Sequence, residues 1–294
     1  MFNTFAVSEP SWNNGVGRRK IPKNPAMNIY SLLTFKDLLN DLQTAKASPD
    51  LVAALNHKVS GGIHVPRDFP TLEEAVGFFE RYADSDSVSF SMIKDGADAE
   101  HKANKDPDIV TIPRKIVVGK GEHQIPRTIY LTIRSAMHIV GDPGVPKEEI
   151  VVVGGILFLK GIQGNCHLQN LTIRQAKHSG VEGQSSFTMA DVLVEQCHHH
   201  GVVAYGTDGR CTNVEVRQCG WSGVVAHSVP EVVWLGESRG SIILVGDQTT
   251  VHHNCTKGDS DDYGLVVEGS SIIQLVAPLT KEQVSTDNGG GGNW

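Results

Sequence analysis

The chain contains an internal repeat, and this repeat constrains the fold more than any other feature. Three segments superimpose without gaps, with offsets of 21 and 22 residues: NLTIRQAKHSGV (170–181), DVLVEQCHHHGV (191–202) and NVEVRQCGWSGV (213–224). A fourth, degenerate copy begins near Thr249 and includes Gly264 and Leu265. A period near 22 residues, with alternating apolar residues and a glycine at each turn, is typical of a solenoid of stacked short strands.

Aligned columns of the repeat predict what each position does. Alternating apolar residues predict inward columns, one of which contains Ile173, Val194 and Val216. Four further columns have structural interpretations. The first is an amide stack between rungs, containing Gln175, Gln196, Gln218 and Asn254. The second is a tight inner corner of small residues, containing Ala176, Cys197, Cys219 and Cys255. The third is a turn with positive φ, containing Gly180, Gly201, Gly223 and Gly264. The fourth is an exposed charge ladder of modest energy, containing Arg174, Glu195 and Arg217.

Composition excludes several classes of function. The 26 Lys and Arg residues against 33 Asp and Glu residues give a net charge of -7, which disfavours a nucleic-acid binder that relies on a basic face. No apolar run approaches the length of a membrane span, so no membrane partner is expected. The first residues lack the pattern of a secretory signal, and the five cysteines form no CxxC pair, so we expect an intracellular, cytoplasmic protein with reduced thiols.

The chain outside the repeat divides into four further segments. We expect a flexible arm at 1–28, a helical cap region at 29–83, a charged surface loop at 84–108 and a flexible Gly-rich tail at 280–294, around a solenoid at 109–279. Thr71 and Glu74 form a capping-box pattern at the start of a helix. Helices at this end of the chain would cover an open end of the solenoid.

The motifs carry a resemblance to a known superfamily. HVPRDFPTLEEAV, KIVVGKGEHQI, GGILFLKGIQGNCHLQNLTI and the IRQAKHSGV-type repeats, which together cover roughly residues 62–278, resemble the right-handed parallel β-helix (pectin lyase-like) superfamily. The resemblance implies an all-β, right-handed parallel β-helix solenoid with N-terminal capping helices. The superfamily includes pectate lyases, pectin methylesterases, polygalacturonases and alginate epimerases. It also includes non-catalytic repeat domains beside F-boxes in ubiquitin-ligase receptors, and the short, regular repeats here look most like these.

An insertion in the fourth turn brings three carboxylates together. In the three regular copies the turn glycine is the fourth residue after the corner position, whereas Gly264 is the ninth residue after Cys255. The longer loop holds Asp259, Asp261 and Asp262, which are candidates for acid and base catalysis or for calcium ligands. A solvated acidic turn is the alternative interpretation.

Histidines crowd the turns of the repeat. The candidates for a ligand-binding surface are His178, His198, His199, His200, Trp221, His252 and His253. A histidine and an indole on neighbouring rungs could bind a sugar or supply a base near neutral pH. Ordinary turn residues and an adventitious metal site are the alternatives.

The chain does not contain the complete catalytic motif of any enzyme group of the superfamily that was considered. Asp261-Asp262 resembles the paired aspartates of polygalacturonases, but the chain lacks the Gly-His-Gly and Arg-Ile-Lys that accompany them, and Asp142-Pro143 does not continue into the epimerase motif. We therefore expect a non-catalytic β-helix platform that binds a protein or a polysaccharide and requires no cofactor, with calcium as the one candidate. The alternatives are a hydrolase, lyase or epimerase acting on acidic polysaccharide, and a structural or assembly protein.

Overall fold

The computed structural model describes residues 61–83, 114–125, 129–230, 237–257 and 260–294. The predicted arm at 1–28 and surface loop at 84–108 lie outside these residues, as does Asp259. Of the predicted cap region, 61–83 is described.

The described chain is mostly β-strand. Before the repeat the elements are β1 (Ile63–Val65), α1 (Leu72–Ala83), β2 (Lys115–Val118), β3 (Gly121–Gln124), β4 (Tyr130–Ile133), β5 (His138–Gly141), a 3-10 turn (Lys147–Glu149), β6 (Ile150–Val153) and β7 (Gly155–Phe158). The repeats form β8 (Cys166–Arg174), β9 (Val181–Gly183), β10 (Phe187–Glu195), β11 (Val202–Tyr205), β12 (Asp208–Thr212), β13 (Glu215–Arg217) and β14 (Val224–His227). There follow β15 (Val229–Pro230), β16 (Glu237–Ser238), β17 (Ser241–Val245), β18 (Thr250–His252), β19 (Leu265–Glu268), β20 (Ile272–Leu275), α2 (Lys281–Val284) and β21 (Ser285–Thr286). Neither described helix is long and apolar enough to cross a lipid bilayer.

The chain passes repeatedly between two sheets, each built of parallel strands, which confirms an all-β, solenoid-like fold. One sheet has thirteen strands, and its longest path runs β1-β2-β5-β8-β10-β12-β17-β20; the other has the order β19-β14-β11-β9-β7-β4. Each repeat therefore adds one rung to both sheets. The predicted inward column is confirmed, because Ile173 pairs with Val194, Val194 pairs with Val216, and all three are buried.

The backbone turns at amide and acidic side chains rather than at the turn glycines. Gln175, Gln196 and Gln218 have φ of 54°, 56° and 56°. The predicted amide stack is present among them, because each Nε2 donates to the Oε1 of the next rung, at 3.4 and 3.3 Å. These exposed hydrogen bonds stabilise a left-handed backbone conformation that residues other than glycine seldom adopt.

The prediction of positive φ at the turn glycines is wrong. Gly180, Gly201, Gly223 and Gly264 are absent from the positive-φ positions of the chain. Glycine is required at this column because of close packing. A Cβ on Gly180 would lie 2.5 Å from Cγ1 of Val194 on the next rung, a distance that real Cβ atoms do not show.

The fourth repeat is shifted by one residue from the predicted alignment. Arg217 pairs with His252, so His253, with φ of 55°, continues the glutamine column. Asn254 therefore enters the inner corner in place of a cysteine, where it is buried and its Nδ2 donates to the Asn288 Oδ1 at 3.0 Å. The amide ladder of the last rungs is thus internal, and Cys255 follows the corner rather than filling it.

The charge ladder is more buried than predicted. The Glu195 side chain is only 4% exposed and accepts hydrogen bonds from Arg174 at 2.6 Å and from Arg217 at 2.7 Å. These arginines hold the pKa of the Glu195 carboxyl below its usual value, although burial opposes them. The ladder is a semi-buried ionic network rather than an exposed one.

The segment 280–294, predicted as a flexible tail, forms the last rung in this structure. Thr280 caps α2 through a capping box, and β21 pairs with β18. The Gly292 and Asn293 carbonyls accept from the amides of Gly264 and Leu265, both at 3.0 Å. The glycines here lie in tight backbone turns against the preceding rung.

Candidate functional site

A groove on the outer face of the smaller sheet is the best candidate for a ligand site. Its volume is about 300 Å³, and it is lined by Lys160, Glu182, Gln184, Tyr205, Gly206, Val229 and Ser238. We call it the Tyr205 groove. In the strand register Tyr205 pairs with His227, and His227 pairs with Glu268, so an outward column runs from Tyr205 in the groove to the next two rungs. The volume lies at the lower end of the range typical of small-ligand sites.

Glu182 is held in a fixed orientation within this groove. The Tyr130 hydroxyl, two strands away in the sheet on β4, donates to one carboxylate oxygen at 2.9 Å, and Gln184 Nε2 donates to the other at 3.0 Å. The Tyr130 pKa is raised by burial and by the Glu182 charge, which keeps this hydroxyl a donor. A carboxylate and an amide therefore present set hydrogen-bonding directions to a ligand.

Tyr205 supplies an aromatic surface beside these polar groups. Its pKa is raised by burial first and then by the charges of Glu182 and Glu268, so its hydroxyl is neutral across the physiological range. The Tyr205 ring lies 5.1 Å from the His227 ring, and His227 in turn contacts Glu268 at 2.9 Å. A tyrosine of this kind offers both an apolar ring and a hydrogen-bonding tip.

The two carboxylates that influence Tyr205 are too far apart for glycoside hydrolysis. Glu182 and Glu268 lie three rungs apart in the strand register. At about 4.8 Å per rung this is a separation of about 14 Å. Glycosidases place their two carboxylates about 5 to 9.5 Å apart. The geometry of the Tyr205 groove therefore suits binding better than hydrolysis.

Several of the predicted surface residues form a column of rings along the neighbouring turn. The ring centroids of His178 and His199 are 4.3 Å apart, and those of His199 and Trp221 are 3.8 Å apart with an interplanar angle of 1°. The Lys257 ammonium lies over the indole at 5.5 Å and 3.0 Å from His198 Nδ1. The structure thus brings His178, His198, His199, His200 and Trp221 together.

Stacking changes what these rings can do. Because the rings of His199 and Trp221 are parallel and stacked in contact, each covers one face of the other. A sugar needs a free aromatic face to pack against, so this pair is not a sugar platform on the side where the two rings meet. The ring column continues the inter-rung stacking of the solenoid.

His200 is the most perturbed histidine of this turn. Burial, with a smaller effect of His199, lowers its pKa from 6.5 to about 4. Its Nδ1 is buried and has no hydrogen-bond partner among the described residues, so protonation would place an unsatisfied charge in the turn.

This burial predicts that His200 contributes to the loss of stability in acid. Because the folded-state pKa lies below the unfolded value, protons bind the unfolded chain first, and stability falls as the pH drops from 6.5 towards 4. We expect His200 to contribute a loss of about 2 kcal/mol between pH 7 and pH 5. In His200→Ser, which copies Ser179 and Ser222 of the neighbouring rungs, urea titrations at the two pH values should show this part of the loss removed. An unchanged loss in the variant would contradict this role.

The remaining predicted histidines lie elsewhere. His252 and His253 belong to the larger sheet and contact each other at 2.7 Å between their Nδ1 atoms, with His252 Nε2 3.3 Å from Glu215. They extend the ionic network around Arg217. The structure does not join them to the ring column.

The described part of the acidic turn is tied to the neighbouring rung. Asp262 accepts from the Ser222 hydroxyl at 2.9 Å, while Asp261 is exposed and accepts from Ser260 at 3.3 Å. Within the described ranges, which omit Asp259, no three His, Cys, Asp or Glu side chains form a group suited to a metal ion. Calcium binding by Asp259, Asp261 and Asp262 stays a prediction.

Sequence reasoning missed the residues that line the groove. Two of them, Gln184 and Tyr205, and His227, whose ring contacts Tyr205, each stand four residues after a turn glycine, just beyond the aligned repeat blocks. Extending the alignment by four residues would have placed them in one outward column. Glu182 gave no such signal, because valines occupy its position on the next two rungs.

The chain was compared with protein-family models, with curated proteins and with solved structures, and no match was found in any of the three.

Proposed function

We propose that the protein is a non-catalytic binding platform and that its Tyr205 groove binds a short segment of a neutral glycan. The observation that carries this proposal is the placement of Glu182 and Gln184, with their hydrogen-bonding directions set, beside the ring of Tyr205. Sugar hydroxyls pair with carboxylate and amide groups, and the C–H face of a pyranose packs on an aromatic ring.

The repeat favours a platform over a catalyst. The inward columns pack as core, and Glu195 is paired on both sides. The Glu182 carboxylate already accepts two hydrogen bonds and lies about three rungs from Glu268. A solenoid of stacked strands presents such groups on a rigid surface, which limits the entropy lost when a ligand binds.

The resemblance of the motifs supports a finer assignment of the fold. We propose the right-handed, pectin lyase-like form of the parallel β-helix for this solenoid, in its non-catalytic style. The coiling between two parallel sheets and the stacked side-chain columns support it. The known right-handedness of connections between parallel strands favours the same hand.

Binding is tested with a glycan array followed by titration calorimetry on the tightest ligand. The wild-type protein should bind at least one neutral oligosaccharide, and Tyr205→Ala and Glu182→Gln should each weaken binding at least tenfold. Glu122→Gln and Trp294→Ala, which change an exposed carboxylate and an exposed aromatic outside the groove, are the matched controls and should bind like the wild type.

Two outcomes would overturn the proposal. One is wild-type affinity in both groove variants, which would place the ligand elsewhere. The other is release of reducing ends or unsaturated sugars by the wild-type protein, lost in the Asp261→Asn, Asp262→Asn double variant. That result would favour the carbohydrate-active enzyme instead.

A further inference from the structure

A second groove lies at the β4 edge of the same sheet, between helix α1 and strand β4. Its volume is about 240 Å³, and we call it the Gly77 groove after the helix residue on its wall. Val76 and Gly77 line it from the helix, and Leu131 and Thr132 line it from the strand. β4 is the terminal strand of this sheet, so one side of its backbone faces the groove.

With respect to the part of the chain that the structure describes, the backbone of β4 leaves a pairing position open on that side. Successive residues of a strand direct their backbone groups to opposite sides. The Ile133 carbonyl accepts from Leu159 of the next rung, whereas the Arg134 amide points the other way and donates to Glu80 of the helix at 2.9 Å. Thr132 is two residues before Arg134, so its N–H and C=O point to the same free edge. No described strand pairs with this edge.

Glu80 closes one end of the groove. Its carboxylate accepts from both the Arg134 amide and the Arg134 guanidinium, the latter at 3.2 Å. One oxygen thus occupies the place of a carbonyl from a neighbouring strand. This contact ends the open edge at Arg134 and leaves Thr132 as the next position towards the start of the strand.

The contacts of Gly77 with the described residues do not explain why this position is glycine. It lies in the interior of α1, where glycine costs about 1 kcal/mol relative to alanine. Of the residues that the structure describes, a Cβ at this position would meet only the Arg81 guanidinium, at an ordinary contact distance of 3.6 Å. A bare backbone on the wall of a groove permits another backbone to approach closely.

We propose that the Gly77 groove binds an extended peptide segment of a partner protein, which adds as a strand to β4. The peptide backbone would pair with the N–H and C=O of Thr132 and pass over Gly77. Glu73, on the helix wall, favours a basic side chain on the peptide. This binding does not depend on a glycan in the Tyr205 groove.

The probes are acetylated six-residue peptides in which valine alternates with lysine or with glutamate, together with a lysine peptide that has proline at its central valine. Backbone amide exchange is followed by NMR in the full chain. The valine-lysine peptide should slow exchange of the Thr132 amide at least tenfold. The glutamate peptide should bind more weakly, and the proline peptide should give no protection because it lacks a pairing N–H.

The variant Gly77→Leu fills the groove with a good helix former and should abolish the protection. Glu74→Leu places the same side chain at an exposed helix position and should retain it. The proposal is overturned if no peptide of the panel slows exchange at Thr132, or if Gly77→Leu binds as well as the wild type. It is also overturned if the Thr132 amide is already protected in the free protein and becomes exposed in Gly77→Leu, since a segment of this chain would then occupy the groove.

Discussion

Replacing Gly201 with alanine is expected to lower the free energy of unfolding by about 3 kcal/mol or more. The added Cβ would overlap Cγ1 of Val216 and lie 2.7 Å from the Gly223 carbonyl oxygen. Val216 is a core residue on the next rung, and the Gly223 carbonyl accepts from the Val202 amide at 2.9 Å. Neither group can move without disturbing the core or a bond between strands, so the rungs must separate locally. Chemical denaturation followed by circular dichroism measures the change.

The matched control for Gly201→Ala is Gly77→Ala. The same methyl group is added to a helix position where it meets only the end of the Arg81 side chain. Stability should be unchanged or rise by up to about 1 kcal/mol. If Gly201→Ala were as well tolerated as this control, the close approach of neighbouring rungs would not be as described.

Replacing Glu195 with glutamine is expected to cost about 3 kcal/mol at pH 7. Glu195 lies between Arg174 and Arg217 on neighbouring rungs and is nearly inaccessible to solvent. The amide of glutamine would direct N–H groups at one of the two guanidinium groups and remove the charge that both contact. A buried ionic network that loses its central charge leaves the other members partly desolvated and unpaired.

The pH dependence separates this effect from that of His200. Because the folded-state pKa of Glu195 lies below 4.5, its contribution is complete above that pH and is lost as the pH falls further. The cost of Glu195→Gln should therefore be constant between pH 7 and pH 5, the range in which protonation of His200 in the unfolded chain lowers stability, and shrink only at lower pH. Glu122→Gln, at an exposed position, should change stability by less than about 0.5 kcal/mol. A cost for Glu195→Gln as small as that of Glu122→Gln would contradict the network.

The repeat predicts the solenoid-like fold well because each column reports the same environment several times. The inward column of Ile173, Val194 and Val216 and the glutamine stack are both confirmed. A positive φ was the predicted reason for the turn glycines, and it was wrong. The sequence shows that these positions have no side chain, but it does not show whether a positive φ or a close neighbour requires glycine there. The distance to the next rung is a tertiary property.

Two other features could not be predicted from the sequence, for different physical reasons. The insertion after Cys255 removes the fixed spacing that defines register, so the alignment of Asn254 slipped by one residue. Glu195 was expected to be exposed because it points away from the core. The arginines on both neighbouring rungs cover it, and this shielding depends on side-chain conformations that the pattern does not report.

The sequence predicted the candidate site only in part. His178, His199 and Trp221 were expected in one column at the turns and do meet there, but stacking covers one face each of the His199 and Trp221 rings. The Tyr205 groove arises where side chains from successive rungs meet beside β15 and β16. Residues such as Glu182 gain their role from partners as distant in sequence as Tyr130.

A crystal structure of the protein with the tightest neutral oligosaccharide from the array is the most direct test of the proposed function. The glycan should lie in the Tyr205 groove, with a sugar ring against Tyr205 and hydroxyls within hydrogen-bonding distance of Glu182 and Gln184. A glycan bound instead at the Asp261-Asp262 turn, with the Tyr205 groove empty, would contradict it.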